Sequence, residues 1–128
     1  MPLIDDIAQM VPTVDSQLGG SWYTGGVLTN PAANALEADT GELTAGYYDV
    51  TFFLWNGSAN IEGYNFEHRN AANTANLHLQ VVSIPGNDYL STPLLKNFGV
   101  AENERFRILN RTAIVGVTQG SIIFTRRA

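Results

Sequence analysis

The side chains best suited to metal or acid–base chemistry are two histidines, His68 and His78, which lie ten positions apart. A histidine-based metal site usually needs two or three ligands and a carboxylate on converging elements. Glu67 and Asp88 are the only acids near the histidines in sequence, and the histidines fall on different predicted strands. We therefore interpret both as strand residues whose polar ring tips reach the surface. We predict no metal site and no cofactor.

Paired carboxylates are the other candidate chemistry, because glycosidases set two acids roughly 5 to 10 Å apart. Glu102 and Glu104 would share one face of an extended segment, and Glu62 and Glu67 lie on a predicted strand. Neither pair has an apolar setting that would separate the two pKa values. Nucleophile-elbow, metalloprotease, Walker and EF-hand motifs are missing too. We predict that the chain is not an enzyme; a polysaccharide lyase or hydrolase using Glu62, Glu67 or Asp88 is the weakest alternative.

Composition limits the partners further. The chain has 128 residues, no cysteine and a net charge of −5. Residues 1–68 hold nine acids and no Lys or Arg, whereas residues 69–128 hold seven bases and three acids. Either the two halves interleave in the fold, or the asymmetry orients a contact with a charged partner. An acidic chain without a basic cluster is a poor nucleic-acid binder. No apolar run approaches the roughly 20 residues that span a bilayer, so we expect no membrane partner.

Short alternating runs between turn residues predict strands along most of the chain. The run 47–57 ends in Asn56-Gly57, a common tight-turn pair, and the run 61–69 follows, so we predict a hairpin between them. Further β-rich runs lie at 19–30, 77–84, 105–110, 113–117 and 121–125. Seven to nine strands without a convincing internal helix indicate an all-β fold, an antiparallel sandwich, jelly roll or barrel.

Residues 1–20 differ from the rest and are interpreted as an N-terminal arm preceding a β-sandwich domain at residues 21–128. Their apolar residues recur at helical spacing, but Pro12 interrupts the pattern and Gly19-Gly20 ends it. One short acidic helical turn is not stable alone. We expect the arm to become ordered by packing on its own domain or on a neighbouring subunit. The arm residues assigned to an apolar contact are Leu3, Ile4, Ile7 and Met10.

The clearest functional signal is the run "YYDVTFFLW" at 47–55. As a strand it has one ordinary apolar face and a second face that is nearly as aromatic, which carries Tyr47, Phe53 and Trp55. A single-core sheet protein needs only one apolar face per strand. A neighbouring copy, a sugar or a loop of the same chain would each cover the second face. Since an apolar stripe along a whole strand suits another protein best, we predict that these three residues form a subunit interface.

Two segments, "EHRNAANTANLHLQVV" and "NERFRILNRTAIVGVTQGSIIFTRRA", resemble the small decoration (cement) proteins of tailed-phage heads. The resemblance covers residues 40–128 and rests on the order of features: a "GYYDV" strand, the "HRNAAN" link, "ERFRI", and a Gly-punctuated hairpin ending in "TRR". It implies a homotrimer on the outer surface of the capsid, with the major capsid protein as partner. It supplies no catalytic residues.

The sequence thus favours a structural virion protein that stabilises a phage head by bridging capsid subunits. Polar contacts with an acidic capsid surface are expected from Arg105, Arg107, Arg126 and Arg127. The alternative is a carbohydrate- or receptor-binding β-sandwich module of a phage fibre or tail, in which the aromatic residues stay open to solvent.

Overall fold

The computed structural model describes residues 21–92 and 95–128, and of Trp22 only the backbone. Nine strands and no helix occur in these residues, which confirms the predicted all-β class. No helix in this part of the chain is long and apolar enough to cross a membrane. The strands are β1 (Ser21–Thr29), β2 (Leu36–Asp39), β3 (Gly46–Asn56), β4 (Glu62–Arg69), β5 (Asn76–Ile84), β6 (Asp88–Ser91), β7 (Leu95–Val100), β8 (Arg105–Asn110) and β9 (Val117–Arg126).

The strands form two antiparallel sheets. The five-stranded sheet has the order β1-β9-β3-β6, and β7 also pairs with β3; the four-stranded sheet has the order β2-β8-β4-β5. Strand β7 pairs with the first half of β3, and β6 pairs with its second half. Between them Thr92 continues the ladder, because its amide donates to Phe52 O (2.9 Å) and its Oγ1 accepts from Phe52 N (3.0 Å).

The hydrophobic core lies between the two sheets and follows from the alternation of β3. The inward side chains of that strand, Tyr48, Val50, Phe52 and Leu54, are all buried, as the sequence predicts. The Phe52 ring lies 4.9 Å from that of Phe66, on the opposite sheet. Buried aromatic pairs at this distance add to the free energy gained by burying apolar area, so β3 holds the sandwich together.

The predicted hairpin between 47–57 and 61–69 is wrong. Strands β3 and β4 belong to different sheets, so the loop between them turns a corner of the sandwich. Asn56 is fully buried, and its amide nitrogen donates to Asn60 O and Ile84 O, both at 2.9 Å. The Asn-Gly pair therefore satisfies buried carbonyl groups instead of closing a two-residue turn.

The predicted separate strands at 113–117 and 121–125, and the hairpin implied by the resemblance, are also wrong. One strand, β9, runs unbroken through Gln119 and Gly120. Glycine is required at position 120 for another reason, because a Cβ there would lie 2.8 Å from Glu37 Cβ of the opposite sheet. Gly120 thus marks a close approach of two strands and not a turn.

Candidate interaction surface

The second face of β3 points away from the core, as the alternation predicts. Tyr47 is 54% exposed and Trp55 is 37% exposed, whereas Phe53 between them is partly buried. The structure thus places all three predicted interface residues on the outside of the five-stranded sheet. Whether another subunit covers them remains a prediction.

Neighbouring strands widen this stripe into a continuous surface. Across the sheet, Trp55 pairs with Tyr89 on one side and with Gln119 on the other, and Gln119 pairs with Val27. The Phe53 and Tyr89 rings lie 5.7 Å apart. We name the whole surface the outer aromatic face; it consists of Tyr23, Val27, Tyr47, Phe53, Trp55, Tyr89 and Ile123.

Two polar groups among the aromatic side chains of this surface are held by neighbours. Ser121 Oγ donates to Tyr23 Oη at 2.7 Å, which fixes the phenol ring against the sheet. Asp49 lies between Tyr47 and Phe53 on the outward side of β3, where Arg127 Nε approaches its carboxylate at 3.5 Å. An apolar surface with fixed tyrosine tips is suited to bind a protein or a sugar, because aromatic side chains bury a large area and lose little conformational entropy.

Trp55 itself is positioned by a local contact. A Cβ at Gly57 would overlap both the Trp55 ring and the Val117 carbonyl oxygen. The indole therefore lies over a residue that has no side chain, and only about a third of Trp55 remains exposed. A ring held in this way is pre-organised for contact, since little rotamer freedom remains to be lost on binding.

The outer surface of the four-stranded sheet is charged in its centre. Arg105 Nη1 lies 3.3 Å from Asp39 Oδ2, and Arg107 is paired with Glu67, whose side chain is almost fully buried. The basic second half of the chain thus meets the acidic first half in space, so the interleaving alternative is the correct one. Each of the four arginines assigned to capsid contact has a partner within the chain; Arg126 donates to Ala45 O at 3.2 Å. Their role toward a capsid remains a prediction.

His68 corrects the sequence interpretation, because it is buried inside the sandwich and not at the surface. Its Nε2 lies 2.8 Å from Glu104 Oε1, and its Nδ1 lies 3.0 Å from His78 Nδ1. A carboxylate only accepts hydrogen bonds, so Nε2 carries the proton of neutral His68 and Nδ1 accepts from His78. The rings are 6° from parallel with centroids 5.3 Å apart, consistent with two rings joined edge to edge. Phe98 and Phe106 enclose His68 at ring distances of 5.1 and 5.2 Å.

Burial lowers the pKa of the His68 imidazole, although the hydrogen bond and charge of Glu104 oppose that shift. In the same interior, burial raises the pKa of Glu37, and hydrogen bonds from Thr118 Oγ1 to both carboxylate oxygens (2.8 Å) oppose this in part. Within residues 21–92 and 95–128 no group of three or more His, Asp or Glu side chains is placed to hold a metal ion.

A cavity of about 190 Å³ lies beside the histidine pair, where edge strands β5 and β7 face each other across the sandwich. Its walls are mainly aromatic: Phe52, Phe66, Phe98 and Phe106. It lies on the opposite side of β3 from the outer aromatic face, between the sheets. It carries no pair of carboxylates of the kind that glycoside hydrolysis needs.

Sequence reasoning missed Tyr23, Val27, Tyr89 and Ile123 as members of the outer aromatic face. Tyr23, Val27 and Ile123 lie in predicted strands, and alternation could have paired each with its exposed neighbours. Tyr89 lies in β6, a four-residue strand that was not predicted. The predicted arm residues, Leu3, Ile4, Ile7 and Met10, lie outside the described residues, as does residue 20, where the arm was expected to end.

Comparison with known proteins adds a fold relationship. No family model and no curated protein sequence matches the chain. Among solved structures, a chain from Sacbrood virus of honeybee has a similar fold, with a TM-score of 0.53 and 10% sequence identity. The likeness covers 96% of this chain and 77% of that chain. At this identity the comparison shows a shared all-β, jelly-roll-like fold, in agreement with the predicted fold class.

Proposed function

We propose that the chain is a structural protein of a virus particle. In its specific form, the proposal is a non-enzymatic decoration (cement) protein that trimerises on the outer surface of a tailed-phage head. The observation that carries it is the outer aromatic face. Five of its seven side chains are more than 40% exposed, and three of those are tyrosines.

Burial energetics support an interface between chains at this face. Complete burial of one large apolar side chain stabilises by roughly 2 kcal/mol, so covering a half-exposed one contributes about 1 kcal/mol. Covering the five most exposed side chains of one face in an oligomer would contribute on the order of 5 kcal/mol per chain, which lies at the lower end of the cost of association, about 4 to 15 kcal/mol. Monomeric proteins rarely leave a patch of this kind uncovered.

The fold relationship and the sequence resemblance support the viral setting from different directions. The structural neighbour comes from a virus. The motifs at residues 40–128 resemble phage decoration proteins, and they also place the aromatic strand within the resembling region. The two lines agree on a particle-associated role, and the resemblance alone supports trimerisation and placement outside the head.

The proposed mechanism is mechanical. Each trimer would bridge several copies of the major capsid protein, so dissociation requires several contacts to break together. Linked weak contacts then give firm retention without any single strong one. The charged outer surface of the four-stranded sheet has its arginines already paired, which leaves apolar contacts as the main source of binding free energy.

One observation favours a second candidate, a carbohydrate-binding module of a fibre or tail. Trp55 and Tyr89 are directly opposite residues on adjacent strands, and both are exposed. Two neighbouring aromatic rings on a flat sheet form a surface on which sugar rings stack. In this candidate the outer aromatic face stays open in the assembled protein.

Hydroxyl-radical footprinting of the purified chain separates the two candidates. If sister chains cover the face, Tyr23, Tyr47 and Tyr89 react several-fold more slowly at high protein concentration than after dilution. Leu36, which is 46% exposed on the other sheet, is the matched control and keeps its rate. Equal tyrosine rates at both concentrations, together with specific binding on a glycan array, would replace the first candidate by the second.

Antibody labelling tests the viral setting directly. Particles made by the genome that encodes this chain should carry the label on the outside of the head in electron micrographs. Label restricted to fibres or tails, or missing from particles, would refute the cement role.

A further inference from the structure

Strand β5 is an edge strand whose outer edge is unpaired in the described part of the chain. It pairs with β4 along one side, from Glu62↔Ile84 to Arg69↔Asn76. No strand in the described part of the chain pairs with its other side. Its nine residues, NLHLQVVSI, include no charged side chain and no proline or glycine. Unpaired strand edges readily accept another strand, and natural proteins usually protect them with charges, prolines, bulges or short length.

The other sheet edges in the described residues have this protection. Strand β1 includes Gly25 at φ 152° and a second glycine beside it. Strand β2 has only four residues and a register shift after Leu36. On the remaining edge, β6 and β7 are short, and the register of β7 on β3 shifts between Tyr48 and Val50. Strand β5 alone is long and uncharged, and its register on β4 is regular from His78 to Ile84, with a shift only at Leu77.

The side chains of β5 are also suited to a second strand. Leu77, Leu79 and Val81 face outward and are 47%, 50% and 52% exposed, although they are aliphatic. On the inward side, Gln80 and His78 line the mouth of the aromatic cavity. A strand added beside β5 would cover the three aliphatic side chains and extend the sheet across that mouth.

We propose that two copies of this chain pair through β5, antiparallel, about a twofold axis at Gln80. Within the regular part of β5, this register places His78 opposite Val82 of the second copy. On the outward face Leu79 lies opposite Val81 of the second copy, and the same pair recurs across the axis. Cross-strand aliphatic pairs of this kind stabilise a sheet, and the lack of charge on β5 removes like-charge repulsion. The contact leaves the outer aromatic face free and does not depend on the proposed function.

The cysteine-free sequence offers a sharp test. Directly opposite Cα atoms in an antiparallel pair lie about 4.5 to 5.5 Å apart, within the roughly 4.4 to 6.8 Å that a disulfide spans. Full-length Gln80→Cys should therefore form a covalent dimer under mild oxidation at least ten times faster than Val115→Cys. Val115 is the control because it is 82% exposed in a loop far from β5 in sequence. Equal crosslinking rates would overturn the proposal.

A second substitution separates specific pairing from collision. Val81→Lys places a charge opposite Leu79 of the second copy while remaining on an exposed strand position. Added to Gln80→Cys, it should slow crosslinking at least tenfold, whereas Leu36→Lys on β2, 46% exposed and outside both proposed contacts, should leave the rate within twofold. Circular dichroism on both variants checks that the fold is kept. Crosslinking that is insensitive to Val81→Lys would show that β5 does not pair in this register.

Discussion

The two outward faces of the sandwich differ in the chemical type of the side chains at their centres. On the four-stranded sheet, the central positions of β4 and β8 are charged, and each charge has a partner within the chain. On the five-stranded sheet, the outward side of β3 carries Tyr47, Phe53 and Trp55, with Thr51 and one ion-paired acid, Asp49, between the first two. The central charges of the first surface are paired within the single chain, although Leu77, Leu79 and Val81 at its β5 edge are exposed. The second surface exposes mainly aromatic side chains in the described part of the chain.

The difference also shows where each half of the chain is used. Every ion pair of the described residues joins an acid or histidine from one half with a partner from the other. Charges that are separated along the sequence are thus paired with each other in the fold, so the charge asymmetry says little about a partner. The aromatic side chains on the outward side of β3 have no such use within the fold, because the core takes only the inward side of the strand.

The largest effect is expected on the charged face, where the pair of Arg107 and Glu67 should stabilise the fold. Arg107→Ala should lower the free energy of unfolding by about 3 kcal/mol, because it leaves the buried Glu67 carboxylate without its partner. Urea denaturation measures the change. The double variant Arg107→Ala with Glu67→Gln should recover most of the loss, and a single-variant loss below about 1 kcal/mol would show that the pair behaves as an ordinary surface contact.

The aromatic face is tested by Trp55→Ala. Emptying a pre-organised aromatic contact should weaken self-association by about 2 kcal/mol or more, as hot-spot residues do. Sedimentation equilibrium over a concentration series measures the association constant. Leu36→Ala, at a comparably exposed site on the other sheet, is the control and should change it by less than about 0.5 kcal/mol. Equal effects of the two substitutions would erase the difference between the faces.

Acid pH probes the interior that both faces share. The lowered pKa of His68 means that the unfolded chain binds the proton more tightly, so stability should fall as the pH drops below about 6.5, the unfolded value. Protonated His68 can no longer accept a hydrogen bond at Nδ1, so it would lose its contact with His78 Nδ1. Proton uptake by one group changes stability by at most about 1.4 kcal/mol per pH unit.

Glu37 works in the opposite direction. Its raised pKa means that the folded chain takes up the proton first, so its contribution to stability grows as the pH falls toward its unfolded value of 4.5. The two effects are separated by measuring unfolding from pH 7 to 5 in Glu37→Gln, where the His68 slope should be steeper than in the wild type. A His68 imidazole that titrates above 6.5 by NMR would contradict the sign.

The smallest effect is expected at Leu36, an exposed apolar side chain on edge strand β2. Leu36→Lys should change the unfolding free energy by less than about 0.5 kcal/mol, because nearly half of the side chain is already in water. A thermal melt is sufficient to detect a larger shift. A loss above about 1 kcal/mol would mean that this position belongs to a covered surface as well.

Local alternation was enough to predict both faces of β3, since eleven residues repeat the pattern without a break. Alternation failed wherever the structure depends on residues that are distant in sequence. Asn56 resembles a turn residue in sequence, but its side chain donates to the carbonyl groups of Ile84 and Pro85, which are distant in sequence, as well as to that of Asn60. His68 is buried because Phe98 and Glu104, distant in sequence, close over it. Tyr89 joins the aromatic face only through its pairing with Trp55, which no short-range pattern reveals.

The central claim is that sister chains cover the outer aromatic face. Sedimentation equilibrium of the full chain carrying Val81→Lys tests it most directly, because this substitution disables the β5 contact and leaves the aromatic face as the route to association. The account predicts the mass of three chains of 13.9 kDa each. A single 13.9 kDa chain at the highest attainable concentration would contradict it.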